Sequence, residues 1–491
     1  MDVLKNYIDG KWISSRERGA IDVTNPATQE VMGKVPFGAK TSDDIAIAVE
    51  AAAKAYESWR TEPVMKRVQP LYRLKQLLEE NIEDLARTIT MECGKTLAES
   101  HGELQRAIEN VEVACGMPIL MQSEFSENIA SGIDEFMIRQ PLGVCGCIAP
   151  FNFPGMIPFW FLPYAIAVGN TFILKPSEKV PMTMDKIFKL IDRMDLPNGV
   201  VNMVHGGKET VDAMLDHPDV KAVSFVGSTN TAKYVYKRGT EHGKRIQAQG
   251  GAKNPIIILP DADLVMSTQI IADSTYGCAG QRCLAASIII SVGDKKGEIR
   301  ESLYESARKR ITGYGLDERI DMGPVITPES KERISGLIEL GINEGGKLLL
   351  DGRAKSVPGF EQGNFIAPTI IENLPLGGTL MKTEIFGPVM SLIQMDSIDN
   401  AIQFVNSGAY GNMACIFTSS GASARKFRSL VNAGNIGINI GVAAPMAQFP
   451  FSGWKESFFG DLHGQGRHAI EFFTQTKVVI ERWPKEWSRK F

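Results

Sequence analysis

The order of short apolar runs in the middle of the chain restricts the fold more strongly than any other feature. From residue 143 onward, GVCGCIAP, TFILKP, VVNMV, KAVSFVG and KRIQAQ alternate with segments such as TMDKIFKLIDRM, whose apolar residues recur at the period of a helix. Parallel strands that are buried on both faces and joined by crossover helices produce this alternation. The sequence therefore predicts an α/β fold built on a parallel sheet.

A second αβ series follows, with PIIILP, ASIIISV, KLLLDG and ACIFTSS as predicted strands. The first third of the chain is mainly helical in pattern, because apolar residues recur at helical spacing at positions 71, 74, 77, 78, 82 and 85. Ser42 is predicted to cap a helix that opens with Asp43 and Asp44. The sequence contains no internal repeat or low-complexity linker, so two α/β domains with a cleft between them are the simplest organisation.

Residues 140–174 contain no charged side chain, and on length alone they could cross a membrane. The segment also contains prolines at positions 141, 150, 154, 158 and 163, which break a continuous helix. A buried strand, a loop, a helix and a second strand are predicted instead. The opening MDVLKNYIDGKW has no apolar region typical of a signal peptide, and its Asp9-Gly10 pair predicts a hairpin turn.

Charge and cysteine content exclude several classes of partner. Lys plus Arg number 53 and Asp plus Glu number 57, so the net charge of -4 gives no reason to expect binding to nucleic acid or to an anionic membrane. The 7 cysteines are an odd number and cannot all pair, which favours a reducing compartment. We therefore expect a cytoplasmic protein that acts on small molecules.

The stretch GCAGQRCLAA places Cys278 and Cys283 five positions apart among small residues. None of the 6 histidines lies near it, and the spacing is not C-x-x-C, so no metal is expected. A disulfide would close a very small loop in a reducing compartment. The local sequence leaves two interpretations open, a buried structural pair or a nucleophile.

Two glycine motifs are candidates for a phosphate site. The pattern G-x-G-x-x-A at Gly464, Gly466 and Ala469 lies too close to the end of the sequence for a βαβ unit and is attributed to chance. In FVGSTNTAKYV, a predicted strand runs into Gly227-Ser228 at the start of a predicted helix. Backbone N–H groups at such a helix terminus can bind a pyrophosphate.

Six motifs follow one another along the chain in the order that is typical of the aldehyde dehydrogenase superfamily. On these motifs, the chain resembles that superfamily over essentially its whole length. They are PFNFP (150–154), ILKPSE (173–178), FVGST (225–229), GGAKNP (250–255), GQRC (280–283) and EIFGPV (384–389). The resemblance implies an α/β fold with two Rossmann-like parallel-sheet domains and a small β oligomerisation domain. It also implies a homo-oligomer, as a dimer of dimers.

The resemblance further implies domain boundaries. An NAD-binding domain is expected from residues 1–122 and 142–248, and a catalytic domain from residues 249–440. Oligomerisation segments are expected at residues 123–141 and 468–491, and residues 441–467 are expected to return to the cofactor domain.

The same resemblance assigns roles to individual residues. Cys283 matches the catalytic thiol that attacks an aldehyde, and Asn152 matches the amide that stabilises the resulting oxyanion. The positions that match cofactor contacts are Phe151, Lys175, Ser177, Glu178, Gly227, Ser228, Glu384 and Phe386. The charge of Glu178 would repel a 2′-phosphate, so NAD is favoured over NADP.

Gln249 is the informative departure from the family pattern. Hydrolytic members carry a glutamate at this position, in E-L-G-G-K, and use it as the general base for water, whereas this chain reads QGGAK. A neutral amide cannot take a proton from water, so coenzyme A, a better nucleophile, is expected to release the acyl group. RGTEHGKRIQAQGGAKNP and the C-terminal PFSGWKESFFGDLHGQGRHAIEFFTQTKVV resemble the CoA-acylating methylmalonate-semialdehyde dehydrogenase branch.

That branch recognises short semialdehydes through arginines, and Arg106 and Arg282 match them. The expected reaction is the NAD-dependent oxidation of malonate or methylmalonate semialdehyde through a thioacyl group on Cys283. Loss of CO2 and transfer to CoA would then give acetyl-CoA or propionyl-CoA. Two alternatives stay open at this point, a hydrolytic aldehyde dehydrogenase that uses another base and a catalytically silent structural relative.

Overall fold

A computed structural model describes residues 2–294 and 296–483 of the chain. In chain order, the strands are β1 (Asn6–Ile8), β2 (Lys11–Ile13), β3 (Ala20–Thr24), β4 (Val31–Pro36), β5 (Phe125–Ala130), β6 (Ile133–Pro141), β7 (Val144–Ile148), β8 (Thr171–Lys175), β9 (Val201–Met203), β10 (Val220–Val226), β11 (Arg245–Gln249), β12 (Asn254–Ile258), β13 (Ala286–Val292), β14 (Lys347–Leu350), β15 (Thr369–Glu372), β16 (Val389–Met395), β17 (Tyr410–Gly411), β18 (Met413–Phe417), β19 (Asn435–Ile438), β20 (Trp454–Lys455), β21 (Phe458–Phe459) and β22 (Thr474–Arg482).

The helices are α1 (Thr41–Trp59), α2 (Val64–Arg67), α3 (Gln69–Glu80), α4 (Ile82–Cys93), α5 (Leu97–Cys115), α6 (Met117–Leu120), α7 (Leu162–Ala167), α8 (Met182–Ile191), α9 (Lys208–Asp216), α10 (Thr229–Glu241), α11 (Leu264–Tyr276), α12 (Glu298–Arg308), α13 (Pro328–Asn343), α14 (Thr379–Lys382), α15 (Ile398–Ser407), α16 (Gly421–Leu430) and α17 (Gly466–Phe472). Two 3-10 turns lie at Ile157–Trp160 and Gly277–Gly280.

The first sheet has 8 strands in the order β2-β1-β9-β8-β7-β10-β11-β21. Its central strands β9, β8, β7, β10 and β11 run parallel, as the alternation of runs predicts. The β1–β2 hairpin closes one edge, and its turn residues Asp9 and Gly10 have φ of 54° and 70°. Positive φ at both central residues is the geometry of a tight hairpin turn, which confirms the turn predicted there.

The second sheet has 7 strands in the order β14-β15-β16-β13-β12-β18-β19. All neighbouring pairs are parallel except β14 and β15, so the predicted strand KLLLDG is an antiparallel edge strand. A third, antiparallel sheet of order β22-β6-β5 has 3 strands and exposes several apolar side chains, among them Phe125, Ile129, Val478 and Ile480. The two parallel sheets and the small β sheet together confirm the predicted fold class.

The charge-free segment folds as predicted. It forms β7, a loop, the 3-10 turn at Ile157–Trp160, α7 and β8, and nearly all of its residues are buried. Within the described ranges, no helix is both long enough and apolar enough to cross a membrane.

Two details of the helical first third differ from the sequence prediction. Ser42 does not cap α1, because the helix already begins at Thr41 and the Ser42 hydroxyl donates to the Ala39 carbonyl. The apolar pattern from position 71 to 85 is divided between α3 and α4. Asn81 separates them, and its side-chain amide donates to the Leu77 carbonyl at 2.7 Å, which competes with helix continuation.

The two parallel sheets place their loops at one common cleft. Loops at the carboxyl ends of β7, β8, β10 and β11 line it from the first sheet, where ligands of open α/β sheets commonly bind. The loops that precede β13 and β16 line it from the second sheet. Motifs that are far apart in the sequence therefore meet in one place.

Candidate active site

Cys283 lies in the loop between the 3-10 turn at Gly277–Gly280 and strand β13. Its carbonyl oxygen accepts hydrogen bonds from the side-chain amides of Asn254 and Asn412, both at 2.8 Å. Asn254 begins β12 and Asn412 immediately precedes β18. The backbone of Cys283 is therefore anchored to the amino ends of two neighbouring strands, which leaves its side chain to face the cleft.

Two cavities meet at this thiol. The first, which we call the cofactor-side cavity, has a volume of about 750 Å³ and is lined by all eight residues predicted to contact a cofactor, together with Asn152. The second, the substrate-side cavity, has a volume of about 380 Å³ and is lined by Arg106 and Arg282. Among the described residues, Cys283 alone lines both cavities. A nucleophile at this point can reach ligands bound on either side.

The environment of Cys283 keeps its thiol protonated at rest. Burial raises the pKa of the thiol to about 12, and the negative charge of Glu384 adds to the rise. Arg282 and nearby backbone N–H groups oppose it. The residues on the two sides of the thiol therefore have opposite effects on its pKa. Glu384 lines the cofactor-side cavity and raises the pKa, whereas Arg282 lines the substrate-side cavity and lowers it.

Asn152 is buried in the loop that follows β7. Its side-chain amide donates to the Gln281 carbonyl at 3.0 Å, two residues before Cys283. An amide group has two N–H donors, so one remains for a ligand in the cavity. The structure thus brings the predicted oxyanion donor and the predicted nucleophile into adjoining loops.

Lys175 and Glu178 form an ion pair in the cavity wall, with Lys175 Nζ 2.9 Å from Glu178 Oε2. Burial works against the charge of Glu178, but the charge and hydrogen bond of Lys175, together with a backbone N–H group and Lys179, hold the pKa of that carboxyl below its usual value. Glu178 is therefore ionised at neutral pH, with lone pairs left to accept hydrogen bonds from hydroxyl groups. Ser177 lines the same wall.

Gly227 and Ser228 connect β10 to α10 as predicted. Ser228 is the N-cap of α10, and its hydroxyl accepts from the Thr231 N–H at 3.4 Å. The partial positive charge of a helix N-terminus thus points into the cofactor-side cavity, where it would favour a phosphate group.

Glu384 and Phe386 reach the cavity from the second sheet. Glu384 accepts the Ala252 N–H at 2.8 Å. Burial raises the pKa of Glu384 to about 7, although Ala252 and the nearby Arg333 oppose the rise. Phe386 has φ of 51° and packs edge-on against Phe151, with 5.9 Å between ring centroids. This aromatic pair forms an apolar wall near the thiol.

The two arginines are held differently. Arg106 on α5 places Nη1 2.9 Å from Glu109 Oε2, and its side chain is 37% exposed. Arg282 turns back, and its Nη2 donates to the carbonyls of Asp273 and Ser274 near the end of α11, at 2.6 and 2.9 Å. Arg106 is therefore the more available of the two for a substrate carboxylate, whereas Arg282 also satisfies helix carbonyls.

Gln249 ends β11 and is buried. Its amide nitrogen lies 3.4 Å from Asn412 Oδ1 and 3.5 Å from the Ser452 carbonyl, and it lines neither of the two cavities at Cys283. In this position Gln249 supports Asn412, which in turn binds the Cys283 carbonyl.

Five residues near the site were not predicted from the sequence: Asn254, Asn412, Glu99, Glu103 and Lys95. Asn254 belongs to the quoted motif GGAKNP, so a signal for it was present. The other four are far from the motifs in sequence and become visible only through their contacts with the loops that carry Cys283 and Asn152.

The chain is similar to known proteins over nearly its whole length. A model of the aldehyde dehydrogenase family matches residues 12–479. A malonate-semialdehyde dehydrogenase of Geobacillus thermodenitrificans is 47% identical over 483 residues, which cover 98% of this chain and 99% of that protein. One from Halalkalibacterium halodurans is 46% identical over 480 residues, with 98% of each chain covered.

Solved structures give the same result. A Sinorhizobium meliloti protein assigned as a methylmalonate-semialdehyde dehydrogenase, crystallised with NAD, superposes with a TM-score of 0.96 at 41% identity and 99% coverage of each chain. The methylmalonate-semialdehyde dehydrogenase of Oceanimonas doudoroffii has a TM-score of 0.96 at 40% identity, again with 99% of each chain covered.

Proposed function

Because the chain belongs to the aldehyde dehydrogenase family, we propose that it oxidises malonate or methylmalonate semialdehyde with NAD and transfers the acyl group to coenzyme A. The observation that carries this proposal is the position of Cys283 between a large cavity that contains Glu178 and a smaller cavity that contains Arg106. Malonate-semialdehyde dehydrogenases that are 45–47% identical to this chain support the choice of substrate.

The residues of the cofactor-side cavity fit a dinucleotide. The cavity of about 750 Å³ is large enough for an extended ligand and combines an ionised carboxylate, a helix N-terminus and an aromatic pair. We propose that Glu178 binds ribose hydroxyls, Gly227 and Ser228 face the pyrophosphate, and Glu384 holds the second ribose. Bound there, NAD would supply the acceptor for a hydride from the carbon attached to Cys283.

Acylation starts with attack by the Cys283 thiolate on the aldehyde carbon. Because burial and Glu384 keep the thiol protonated at rest, a change that neutralises or moves the Glu384 carboxylate would make the thiolate easier to form. The free N–H of Asn152 and the backbone N–H of Cys283 then stabilise the oxyanion. Arg106 orients the substrate by its carboxylate, so that the aldehyde carbon faces the thiol.

How the acyl group is released depends on the side chain at position 249, which is a neutral amide. The Gln249 amide cannot accept a proton from water, and its side chain is occupied by Asn412 and Ser452. A thiolate of CoA needs no such base to attack the thioester. Loss of the β-carboxylate as CO2 leaves a carbanion that takes up one proton, so semialdehyde, NAD and CoA give acyl-CoA, CO2 and NADH.

The test compares NADH formation from the two semialdehydes with CoA present or omitted. Without CoA, we expect NADH to stop near one equivalent per active site and to resume when CoA is added, which is the behaviour of an accumulated acyl-enzyme. Sustained turnover to free acid without CoA would contradict the proposal.

A variant at position 249 provides a further test of the same proposal. Gln249→Glu introduces a carboxylate, and we expect the ratio of free acid to acyl-CoA among the products to rise if this carboxylate reaches the thioester carbonyl through one water. The total rate is less informative, because the new charge also acts on the anionic substrate.

We further propose a homo-oligomer, a dimer of dimers, located in the cytoplasm. Apolar side chains such as Ile138 and Val478 are exposed on the sheet of β5, β6 and β22, which supports burial of this sheet between copies. The predicted oligomerisation segment 468–491 is described only to residue 483, so its last part lies outside the described residues. The division into an NAD-binding domain, a catalytic domain and oligomerisation segments is part of the same proposal.

A further inference from the structure

Helix α5 contacts both loops that form the reaction site. We call residues 277–283 the nucleophile loop and residues 150–156 the Asn152 loop. Glu99 Oε1 accepts the Cys278 N–H at 2.6 Å, in the nucleophile loop. Glu103 Oε1 accepts the N–H groups of Gly155 and Met156 at 2.6 and 3.1 Å, in the Asn152 loop. Glu99 and Glu103 are four residues apart, so they lie on the same face of the helix.

The nucleophile loop needs such an external support. Cys278 and Ala279 have φ of 51° and 52°, and Gly280 follows with φ of 70°. Left-handed backbone is disfavoured for residues that carry a Cβ atom, so two of them in succession require compensating contacts. The Glu99 carboxylate supplies one such contact by accepting the Cys278 N–H. A hydrogen bond from an N–H group to a charged acceptor is stronger than one to a neutral acceptor.

The Asn152 loop is held by a buried ion pair. Lys95 and Glu103 pair their charges and are both almost completely inaccessible to solvent. Lys95 Nζ also lies 3.5 Å from the centroid of the Phe153 ring, within the same loop. Asn152 in turn donates to the Gln281 carbonyl, so the two loops also contact each other directly.

From these contacts we propose that Glu99 and Glu103 are positioning residues, which set the placement of the Cys283 thiol relative to the Asn152 amide. Each carboxylate binds the backbone of one loop, and the rigid helix between them fixes the separation. The proposal rests on the proposed function for its kinetic consequences, but not for its structural ones.

The first experiment compares Glu99→Ala with Thr96→Ala. Thr96 caps α5 and accepts the Glu99 N–H at 3.3 Å, so its loss weakens the same helix end without removing the acceptor of Cys278. We expect Glu99→Ala to lower kcat roughly 10- to 100-fold through misplacement of the nucleophile. KM for NAD and the activity of Thr96→Ala should stay within about twofold of the wild type.

Rescue and hydrogen exchange separate positioning from general damage. Glu99→Gln retains an oxygen acceptor, so we expect it to restore most of kcat. Backbone amides of residues 277–283 should exchange faster with deuterium in Glu99→Ala than in Thr96→Ala. Equal kcat values and equal exchange rates in Glu99→Ala and Thr96→Ala would overturn the role of Glu99.

For Glu103, single substitutions would leave Lys95 as an unpaired buried charge and disturb folding. Two double variants avoid this, Lys95→Met with Glu103→Gln and Lys95→Met with Glu103→Leu. The first keeps an acceptor for Gly155 and Met156, so its kcat should exceed that of the second by roughly tenfold or more. Equal kcat values in two folded double variants would overturn the role of Glu103.

The exchange measurement needs no substrate and therefore distinguishes this inference from the proposed function. A wild-type protein that does not oxidise semialdehydes would refute the proposed function, whereas unprotected Cys278 in Glu99→Ala would still support the positioning role. An active wild type with unchanged exchange in Glu99→Ala would refute the positioning role alone.

Discussion

The two cavities that meet at Cys283 are built in different ways. The cofactor-side cavity is about twice the volume of the other, and loops at the carboxyl ends of parallel strands supply most of its walls. The substrate-side cavity lies between helix α5, the 3-10 turn at Ile157–Trp160 and residues 440–451, and its walls are largely apolar apart from Arg106, Arg282 and a few other polar side chains.

This difference shows how one thiol can serve two ligands of different size. A long polar ligand is held by many backbone and side-chain contacts, so the loss of any one contact to that ligand should have a moderate effect. A short substrate is held at few points, so the loss of one charged contact should have a larger and more selective effect. Substitutions on the two sides of the thiol, and at the thiol that both cavities share, test this contrast.

Cys283→Ala should abolish NADH formation, because it removes the nucleophile at the junction of the two cavities. Cys278→Ala is the matched control. It alters a buried thiol in the same loop and should leave most of the activity. The measurement is the initial rate of NADH formation with saturating semialdehyde, NAD and CoA. Substantial activity in the Cys283 variant would refute the mechanism.

Asn152→Ala should lower kcat roughly 100- to 1000-fold, the usual cost of removing one oxyanion donor. Because Asn152 also donates to the Gln281 carbonyl, Asn152→Asp serves as a second variant of similar shape. It lacks the donor and carries a charge that repels an oxyanion, so it should be at least as impaired. A kcat within about threefold of the wild type in both variants would remove Asn152 from the reaction.

Arg106→Leu should raise KM for malonate semialdehyde by roughly 10- to 100-fold and leave KM for propionaldehyde and for NAD nearly unchanged. Arg282→Leu should be less selective, because Arg282 also binds the carbonyls of Asp273 and Ser274. Steady-state kinetics with the two aldehydes measures both effects. Equal losses for both aldehydes in Arg106→Leu would show that the arginine does not bind the carboxylate.

The rate of Cys283 alkylation by iodoacetamide, measured without cofactor, should rise about tenfold per pH unit from pH 7 to pH 10. The raised pKa of about 12 keeps the thiol protonated throughout this range, so the rate follows the small thiolate fraction. Glu384→Gln removes the negative charge on the cofactor side and should lower that pKa, with faster alkylation at every pH. A plateau below pH 9 in the wild type would contradict the raised pKa.

Glu178→Gln should have the smallest effect, a rise in KM for NAD of roughly threefold to tenfold with little change in KM for the semialdehyde. It should also narrow the preference for NAD over NADP, because the charge that repels a 2′-phosphate is lost. Kinetics with both cofactors tests this. An unchanged ratio of the two kcat/KM values would exclude Glu178 from cofactor choice.

Part of the site could be predicted because its residues stand in short motifs. The motif GQRC indicated Cys283, and PFNFP indicated Asn152, since both belong to contiguous patterns of a known family. The predicted strands were found for a related reason. Most of them are apolar runs that are buried inside a sheet, so their local sequence suffices, whereas the KLLLDG strand β14 is only partly buried at a sheet edge.

Other features depended on contacts between distant segments. Helical spacing at positions 71–85 did not reveal the break at Asn81, where the side-chain amide donates to the Leu77 carbonyl and competes with helix continuation. The sequence likewise assigned the same carboxylate-binding role to Arg106 and Arg282. Tertiary structure distinguishes them, because the Arg282 side chain turns back to the end of α11.

The α/β class, the family and the residue types available for the chemistry could be predicted without the structure. These follow from apolar periodicity and from motifs of a few contiguous residues. The three-dimensional fold was needed to show that Cys283 lies between two cavities, that Gln249 is bonded away from them, and that α5 contacts both reactive loops. Hydrogen bonds and burial depend on which residues are close in space, and the bonded residues Glu99 and Cys278 are 179 positions apart in the chain.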